Sequence, residues 1–402
     1  MRPPGIVHFR FRVVNPEASH STEPDQPHFP TVDWTDDAGE HRARWRSEAG
    51  VPPPKRVVLA DDRLPADVAY RHACEGTALL WRGDFQNARQ LLQAMARRIE
   101  RKPRKRPASP IDAFNAHRQA QAQRARTLGM LLIPLEADYS IALRRAPDVK
   151  DACREVFGDP AAQDGARSVL SLRELLGLVG AHEWRKKGVE IAALGARIHP
   201  YYGVFSPVRG EYVDLVARAA LPSRSLAFDI GAGTGVLAAL LAKRGVVRVV
   251  ATDTDPRALR CARDNVERLG LSKQVEVIEA DLFPPGRAPL VVCNPPWLPA
   301  RPSSPIERAV YDFESRMLRG FLDGLAAHLE PGGEGWLILS DFAEHLGLRS
   351  RDALLAMIDA AGLKVIGRED IRPAHPKAAD PSDPLFRARA AEVTSLWRLG
   401  EK

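Results

Sequence analysis

The stretch FDIGAGTG, Phe228–Gly235, sits between the apolar pair Leu226-Ala227 and the helical run VLAALLA, Val236–Ala242. An apolar run, a carboxylate and three alternating glycines before a helical pattern read as a strand, a tight turn and a helix start. Gly231, Gly233 and Gly235 lack a Cβ, so the backbone can turn sharply there and approach a ligand closely. A glycine loop of this kind also opens NAD sites. Asp229 argues against that ligand, because a carboxylate at this point repels a pyrophosphate and suits a cationic or amino-acid group.

Outward from this loop the chain alternates strands and helices. Strands are expected at Leu226–Ile230, Val246–Thr252, Val275–Ile278, Leu290–Cys293, Trp336–Leu339, Leu363–Ile366 and Val393–Leu399. Helical patterns separate all but the last pair, where only a loop is expected, which implies a mostly parallel sheet covered on both faces. Ligands of such sheets lie at the carboxyl ends of the strands. The second strand ends in VVATDTDP, where Asp253 stands 22 residues after Gly231 (253 − 231), a spacing at which an acidic side chain takes ribose hydroxyls. The third ends in VIEADLF, where Asp281 can accept from an adenine amino group while Leu282 and Phe283 cover the ring. One such Asp would be a turn or cap residue. Three on successive strand ends point to one ligand.

The combination resembles the class I S-adenosylmethionine (SAM) methyltransferases over residues 188–402. The resemblance implies an α/β, Rossmann-like, seven-stranded mostly parallel sheet with an antiparallel last strand, and SAM as cofactor. It places Asp229, Gly231, Gly233 and Gly235 at the methionine end, Asp253 at the ribose, and Asp281 with Leu282 at the adenine. The fourth strand runs into LVVCNPPWLPA, Leu290–Ala300. A Pro-Pro pair ends strand pairing without any chemistry, but NPPW resembles the [DNS]PP[YFW] motif of members that methylate a nitrogen conjugated to a planar system. Such a nitrogen is a poor nucleophile because its lone pair is delocalised. The Asn294 side-chain oxygen and the Pro295 carbonyl can accept its two hydrogens, Pro295 and Pro296 stiffen the backbone, and Trp297 offers a flat face for stacking. The resemblance thus implies a SAM-dependent N-methyltransferase that acts on an exocyclic amine of a nucleic-acid base or on a glutamine amide.

Several features bear on the acceptor. SPVRGEY, Ser206–Tyr212, precedes the first strand where relatives carry a segment over SAM and substrate. It matches the PRPxT-like run of release-factor glutamine methyltransferases only in its proline and acidic residue, and is closer to the "small" methyltransferases of ribosomal RNA. The net charge is +7 with 58 Lys and Arg, and in RRIERKPRKR, Arg97–Arg106, the residues Arg97, Arg98, Arg101, Lys102, Arg104, Lys105 and Arg106 are basic. A solvated helix end and a phosphate-contacting patch both fit that run. The loop RPAHPKAADPSDPLFRAR adds Arg372, His375, Lys377, Arg387 and Arg389 beside the expected cleft. RNA methylation, of ribosomal RNA, is therefore the first expectation. A protein glutamine is the alternative, and a non-catalytic RNA-binding subunit with this fold stands as a third reading.

A length of 402 residues implies more than one core. Residues 1–110 read as an N-terminal α/β and helical region ending in a basic linker. Residues 111–187 read as a helical substrate-recognition region, and 188–402 as the methyltransferase domain. In the first region, IVHFRFRVV and TVDWTDDAGEHRARW read as strands, the latter with a DDAG turn. Phe85, Ala88, Leu91, Leu92, Met95 and Ile99 form one helix face behind Asp84 as N-cap. Cys74, Cys153, Cys261 and Cys293 are widely spaced with no CxxC pair and no close His, so neither a zinc site nor a disulfide framework is indicated, and a reducing, cytoplasmic setting fits. No apolar run is long enough for a membrane span or a signal sequence. His199, beside Pro200, reads as structural.

Overall fold

The computed structural model describes residues 29–101, 107–162, 165–208, 210–302, 305–373 and 379–402. The strand expected at Ile6–Val14, and Lys102, Arg104, Lys105, Arg106, Arg209, His375 and Lys377, lie outside the described residues.

Two sheets carry the chain. The first is built from β1 (Thr31–Asp36), β2 (Gly39–Trp45), β3 (Arg56–Ala60), β4 (Thr77–Trp81), β5 (Leu131–Leu135) and β6 (Ser168–Ser171), in the order β1-β2-β6-β5-β4-β3. β1 and β2 form the expected hairpin, turning at Asp36–Gly39 with Gly39 at φ 121°. Helices α1 (Ala66–Cys74), α2 (Phe85–Glu100), α3 (Pro110–Leu128), α4 (Lys150–Phe157) and α5 (Leu172–Lys187) accompany the sheet. Asp84 caps α2, its side chain accepting from the Gln86 amide at 2.9 Å, and Phe85, Ala88, Leu91, Leu92 and Met95 are buried as the periodicity requires. The expected split at residue 110 does not separate two folds, because β5 and β6 from the supposedly helical 111–187 stretch pair with each other in the middle of this sheet. Pro134 lies opposite Val169 of β6, beyond the last β4 pairing at Leu132.

A short hairpin, β7 (Val189–Ile191) and β8 (Ala196–Ile198), turns through Leu194-Gly195 and leads into the second sheet. That sheet contains β9 (Leu226–Ile230), β10 (Arg248–Asp253), β11 (Val275–Glu279), β12 (Ala288–Cys293), β13 (Leu329–Ser340), β14 (Leu363–Ile371) and β15 (Thr394–Glu401). Their order is β11-β10-β9-β12-β13-β15-β14, parallel except where β15 runs antiparallel between β13 and β14. Every residue of β12 is buried, as expected of a central strand covered on both faces. The covering helices are α6 (Glu211–Arg218), α7 (Val236–Lys243), α8 (Pro256–Arg268), α9 (Arg316–His328), α10 (Phe342–His345), α11 (Arg351–Ala360) and α12 (Phe386–Ala391). The last falls inside the segment expected to be loop alone. Arg398 of β15 grips Glu334 of β13 with bonds of 2.6 and 2.8 Å, and Trp336 donates to the same carboxylate at 2.9 Å, which pins the antiparallel register.

Phe321 of α9 is fully buried, with its ring parallel to Phe283 at 5.9 Å. Phe321→Ala should cost about 3 to 5 kcal/mol in denaturant unfolding, through lost burial and the cavity left behind. A loss under about 1 kcal/mol would contradict this packing.

The sheets are joined by specific pairs. Arg185 of α5 bonds Asp264 of α8 at 3.0 Å and lies over Tyr201, and Arg257 of α8 bonds Glu48 of the N-terminal unit at 2.8 Å.

Candidate active site

Strand order reverses beside β9, between β10 and β12, and the residues that follow these strands surround a cavity of about 1410 Å³. That volume exceeds a usual single-ligand pocket, so there is room for a cofactor and an acceptor side by side.

Asp229, on β9, is 1% exposed, and its Oδ2 accepts from the Ala238 amide of α7 at 2.9 Å. Burial pushes its carboxyl up to about 7, the Ala238 bond opposes this, and the nearby Asp253 charge adds to it. Gly231 and Gly233 take φ of 76° and 55°, in the left-handed region. A Cβ on Gly231 would stand 2.5 Å from Met317 Cε, whereas one on Gly233 would project into open space. Both line the cavity. Gly235 does not: a Cβ there would meet Ala262 of α8 at 3.2 Å, so this glycine serves the close approach of α7 to α8. Of the three glycines expected at the ligand, Gly231 and Gly233 line the cavity and Gly235 does not.

Asp253 ends β10. Its Oδ2 accepts from the Gly233 amide at 3.0 Å and its Oδ1 from Asp255 at 2.9 Å, and burial raises its carboxyl. One side chain thus fixes the glycine loop while facing the cavity. Asp281 is exposed on the cavity wall. Leu282 follows at φ 69°, held there by a 2.5 Å bond from Thr252 Oγ1 to its carbonyl, and its side chain lies over Gly320 of α9, where a Cβ would come within 2.6 Å. Phe283 departs from expectation. It stacks on His328 at 4.2 Å and packs against Gly324, beneath α9 and away from the cavity lining, so Leu282 alone of the pair can cover a ring.

Asn294, Pro295, Pro296 and Trp297 leave the end of β12 and all line the cavity. Trp297 Nε1 donates to Asn294 Oδ1 at 2.9 Å. This bond, not anticipated from the sequence, sets the indole plane and orients the amide. It uses one of the two lone pairs on Oδ1, leaving the other for a ligand.

The structure adds residues that sequence reasoning did not select. Asp312 is 7% exposed and accepts from the Met317 and Leu318 amides at 2.9 and 3.0 Å, which caps α9 beside the cavity. Its only sequence signal is a carboxylate ahead of a helical run. Phe114 and His117 of α3 also line the cavity, although they belong to the N-terminal unit. Of the SPVRGEY segment Tyr212 lines the cavity, and so do Gly203, Val204 and Phe205 just before it. From the cleft loop, Arg389 reaches the lining, 3.3 Å from Asp383, whereas Arg372 and Arg387 do not. His199 is structural: its amide donates to Asn265 and its ring meets the Arg185 carbonyl.

The sheet order, glycine loop and strand-end carboxylates are the arrangement of a class I methyltransferase. Residues 197–351 match the methyltransferase small domain. The C-terminal unit is thus similar to the small class I methyltransferases, with SAM as cofactor. Release factor glutamine methyltransferase of Cereibacter sphaeroides is 31% identical over 169 residues, 39% of this chain and 58% of that protein. Ribosomal protein L11 methyltransferase of Pelotomaculum thermopropionicum is 34% identical over 145 residues, 36% of this chain and 39% of that protein. Release factor glutamine methyltransferase of Geobacter sulfurreducens is 26% identical over 263 residues, 62% of this chain and 83% of that protein. The chain thus spans 58% and 39% of the first two relatives' own lengths. A crystal structure of a methyltransferase from Pyrococcus furiosus aligns with 57% of this chain and 99% of that chain, with 17% identity and a TM-score of 0.38. Among the described residues no helix is long and apolar enough to cross a membrane.

The residues present fit SAM. Buried Asp229 suits its positive charge, the open side of Gly233 leaves space for a ligand, and Asp281 and Leu282 provide a polar edge and an apolar cover. Cofactor affinity should then depend on pH. A carboxyl poised at about 7 is protonated below that pH, and a cationic ligand favours the ionised form. Affinity for S-adenosylhomocysteine, whose amino group is also cationic, should be level above about pH 7 and fall below it by up to about tenfold per unit. Calorimetry across pH 5.5–8.5 should show this in the wild type and a shallower fall in Asp229→Asn, where Asp253, also raised by burial, still titrates. Identical profiles would refute the poised carboxyl.

Proposed function

We propose that this chain methylates the side-chain amide nitrogen of a protein glutamine. The observation that carries the reading is NPPW at the cavity end of β12, the strand next to β9, which carries Asp229. The relatives named above support a protein acceptor over a base, so the order of the two acceptors expected from the sequence is reversed here.

SAM supplies, when bound, a methyl group on a sulfonium that a nucleophile can take. Asp229, Asp253 and Asp281 hold the donor through their charge and hydrogen-bonding capacity. The free lone pair of Asn294 Oδ1 and the Pro295 carbonyl accept the two amide hydrogens of the acceptor and aim its nitrogen lone pair. The rigid Pro-Pro backbone limits their movement. Trp297, fixed by its bond to Asn294, lies flat against the planar amide. The nitrogen gains a methyl group and gives up one N–H proton after transfer, so no strong general base is needed. Catalysis rests on positioning, which can lower a barrier by about 7 to 11 kcal/mol.

Purified protein with SAM labelled in its methyl group, added to an extract lacking this chain, tests the acceptor class. Label that resists nuclease and is released by protease is the expected result. Label that resists protease and is lost to nuclease would restore the RNA reading.

A further inference from the structure

The segment that follows NPPW is tied to the glycine loop through one carboxylate. Leu298, the residue after Trp297, accepts from the Asp312 amide at 2.8 Å and donates to the Val310 carbonyl at 3.3 Å, a parallel bridge that holds Val310–Asp312 beside NPPW. The Asp312 side chain then reaches across the next turn to the Met317 and Leu318 amides, at 2.9 and 3.0 Å. Inside that turn Glu314 and Ser315 stand in the left-handed region at φ 57° and 53°, which non-glycine residues keep only where their surroundings hold them. The two carboxylate bonds supply that hold, with the Ser315 amide donating to the Asp312 carbonyl at 2.9 Å. Burial raises the Asp312 carboxyl, and the Met317, Leu318 and Arg316 amides with the charge of buried Arg349 oppose this. The turn sets the start of α9 against two cofactor-side elements. A Cβ on Gly231 would lie 2.5 Å from Met317 Cε, and one on Gly320 would lie 2.6 Å from Leu282 Cδ1, so α9 packs on the loop after β9 and on the residues after β11.

We infer that Asp312 is a positioning residue, which holds the segment behind NPPW and the start of α9 in one fixed relation and so keeps the glycine loop and NPPW in register across the cavity. The inference rests on NPPW as the acceptor end of the proposed function, but not on which acceptor is methylated. Methyl transfer needs the nitrogen and the sulfonium aligned, and a misplacement of about 1 Å can cost about 100-fold. The adjacent strands β9 and β12 fix where the two segments begin. Beyond Trp297 the chain is held through Leu298 and Asp312, and Asp312 in turn sets Met317 on Gly231. Because its oxygens accept from the α9 amides, Asp312 acts through the backbone that it holds.

The test compares wild type, Asp312→Asn, Asp312→Asn combined with Glu314→Gly, and Met317→Ala. Calorimetry with S-adenosylhomocysteine, turnover at saturating SAM in the labelled-methyl assay and thermal unfolding are measured on each. Asn keeps one acceptor oxygen for α9 and turns an N–H toward the second amide, so Asp312→Asn should weaken S-adenosylhomocysteine about three- to tenfold and lower turnover about 10- to 100-fold. Glu314→Gly removes the cost of the left-handed backbone and should recover most of both losses. Met317→Ala leaves the carboxylate in place and should reproduce the loss of cofactor affinity. Affinity and turnover unchanged in folded Asp312→Asn, with only the unfolding midpoint lowered, would overturn the inference, since that is the mark of a helix cap alone. A loss that Glu314→Gly leaves in place would overturn it too, as would an unchanged affinity in Met317→Ala, which decides the matter even if Asp312→Asn does not fold. Label found in RNA instead of protein would overturn the glutamine reading alone, because the S-adenosylhomocysteine comparison needs no acceptor.

Discussion

Asn294→Ala is expected to bind S-adenosylhomocysteine within about twofold of wild type and to lose turnover by about 10²- to 10³-fold, the scale seen when one preorganised group at a reacting centre is removed. The asymmetry follows from where the residue stands. Asn294 leaves β12, and its side chain is bonded to Trp297 and not to the glycine loop or the strand-end carboxylates. On the proposed reading, removing it takes away one acceptor for the substrate amide and also releases the indole N–H, so both orientation and stacking should suffer. Trp297→Phe separates the two effects: it keeps a flat face, breaks only the bond to Asn294, and should cost less. Near-normal turnover in Asn294→Ala would mean that NPPW is only a strand terminator.

Asp253→Ala should weaken S-adenosylhomocysteine by about 10- to 150-fold, the equivalent of about 1.5 to 3 kcal/mol for hydrogen bonds to a charged group. The sequence alone suggested a ribose contact. The structure adds that the same carboxylate holds the Gly233 and Asp255 amides, so its loss also loosens the loop that must stay close to the ligand. Asp253→Asn keeps one acceptor oxygen for that loop and should fall between the two in calorimetry. Unchanged affinity in folded Asp253→Ala would remove Asp253 from the cofactor site.

How legible the molecule was depended on the scale of the signal. The second sheet could be read because its strands are apolar runs separated by helical periodicity, and because glycines and carboxylates recur at strand ends. Asp229, Gly231, Gly233, Asp253, Asp281, Leu282 and the NPPW residues line one cavity. Errors inside that unit came from packing that local sequence does not encode. Whether Gly235 meets ligand or helix depends on Ala262, and whether Phe283 covers a ring or fills the core depends on His328 and Gly324. The first sheet was less legible because TALLW, LLIPL and SVLS are short apolar runs that periodicity cannot assign between helix and strand, and Pro134 argued against a strand. Residues 111–187 read from the sequence as a helical substrate-recognition region, but that Phe114 and His117 of α3 line the cavity could not be read, since they are far from β12 in sequence and reach it only when the two units pack together.

The most direct test of the central claim is a mass-spectrometric comparison of tryptic peptides and nucleosides from cells with and without this chain. The account predicts that one or a few glutamine-containing peptides carry one methyl group fewer on the glutamine when the chain is absent, that Asn294→Ala fails to restore the methyl, and that nucleoside profiles coincide. A methylated base that disappears with the chain, against an unchanged set of peptides, would contradict it.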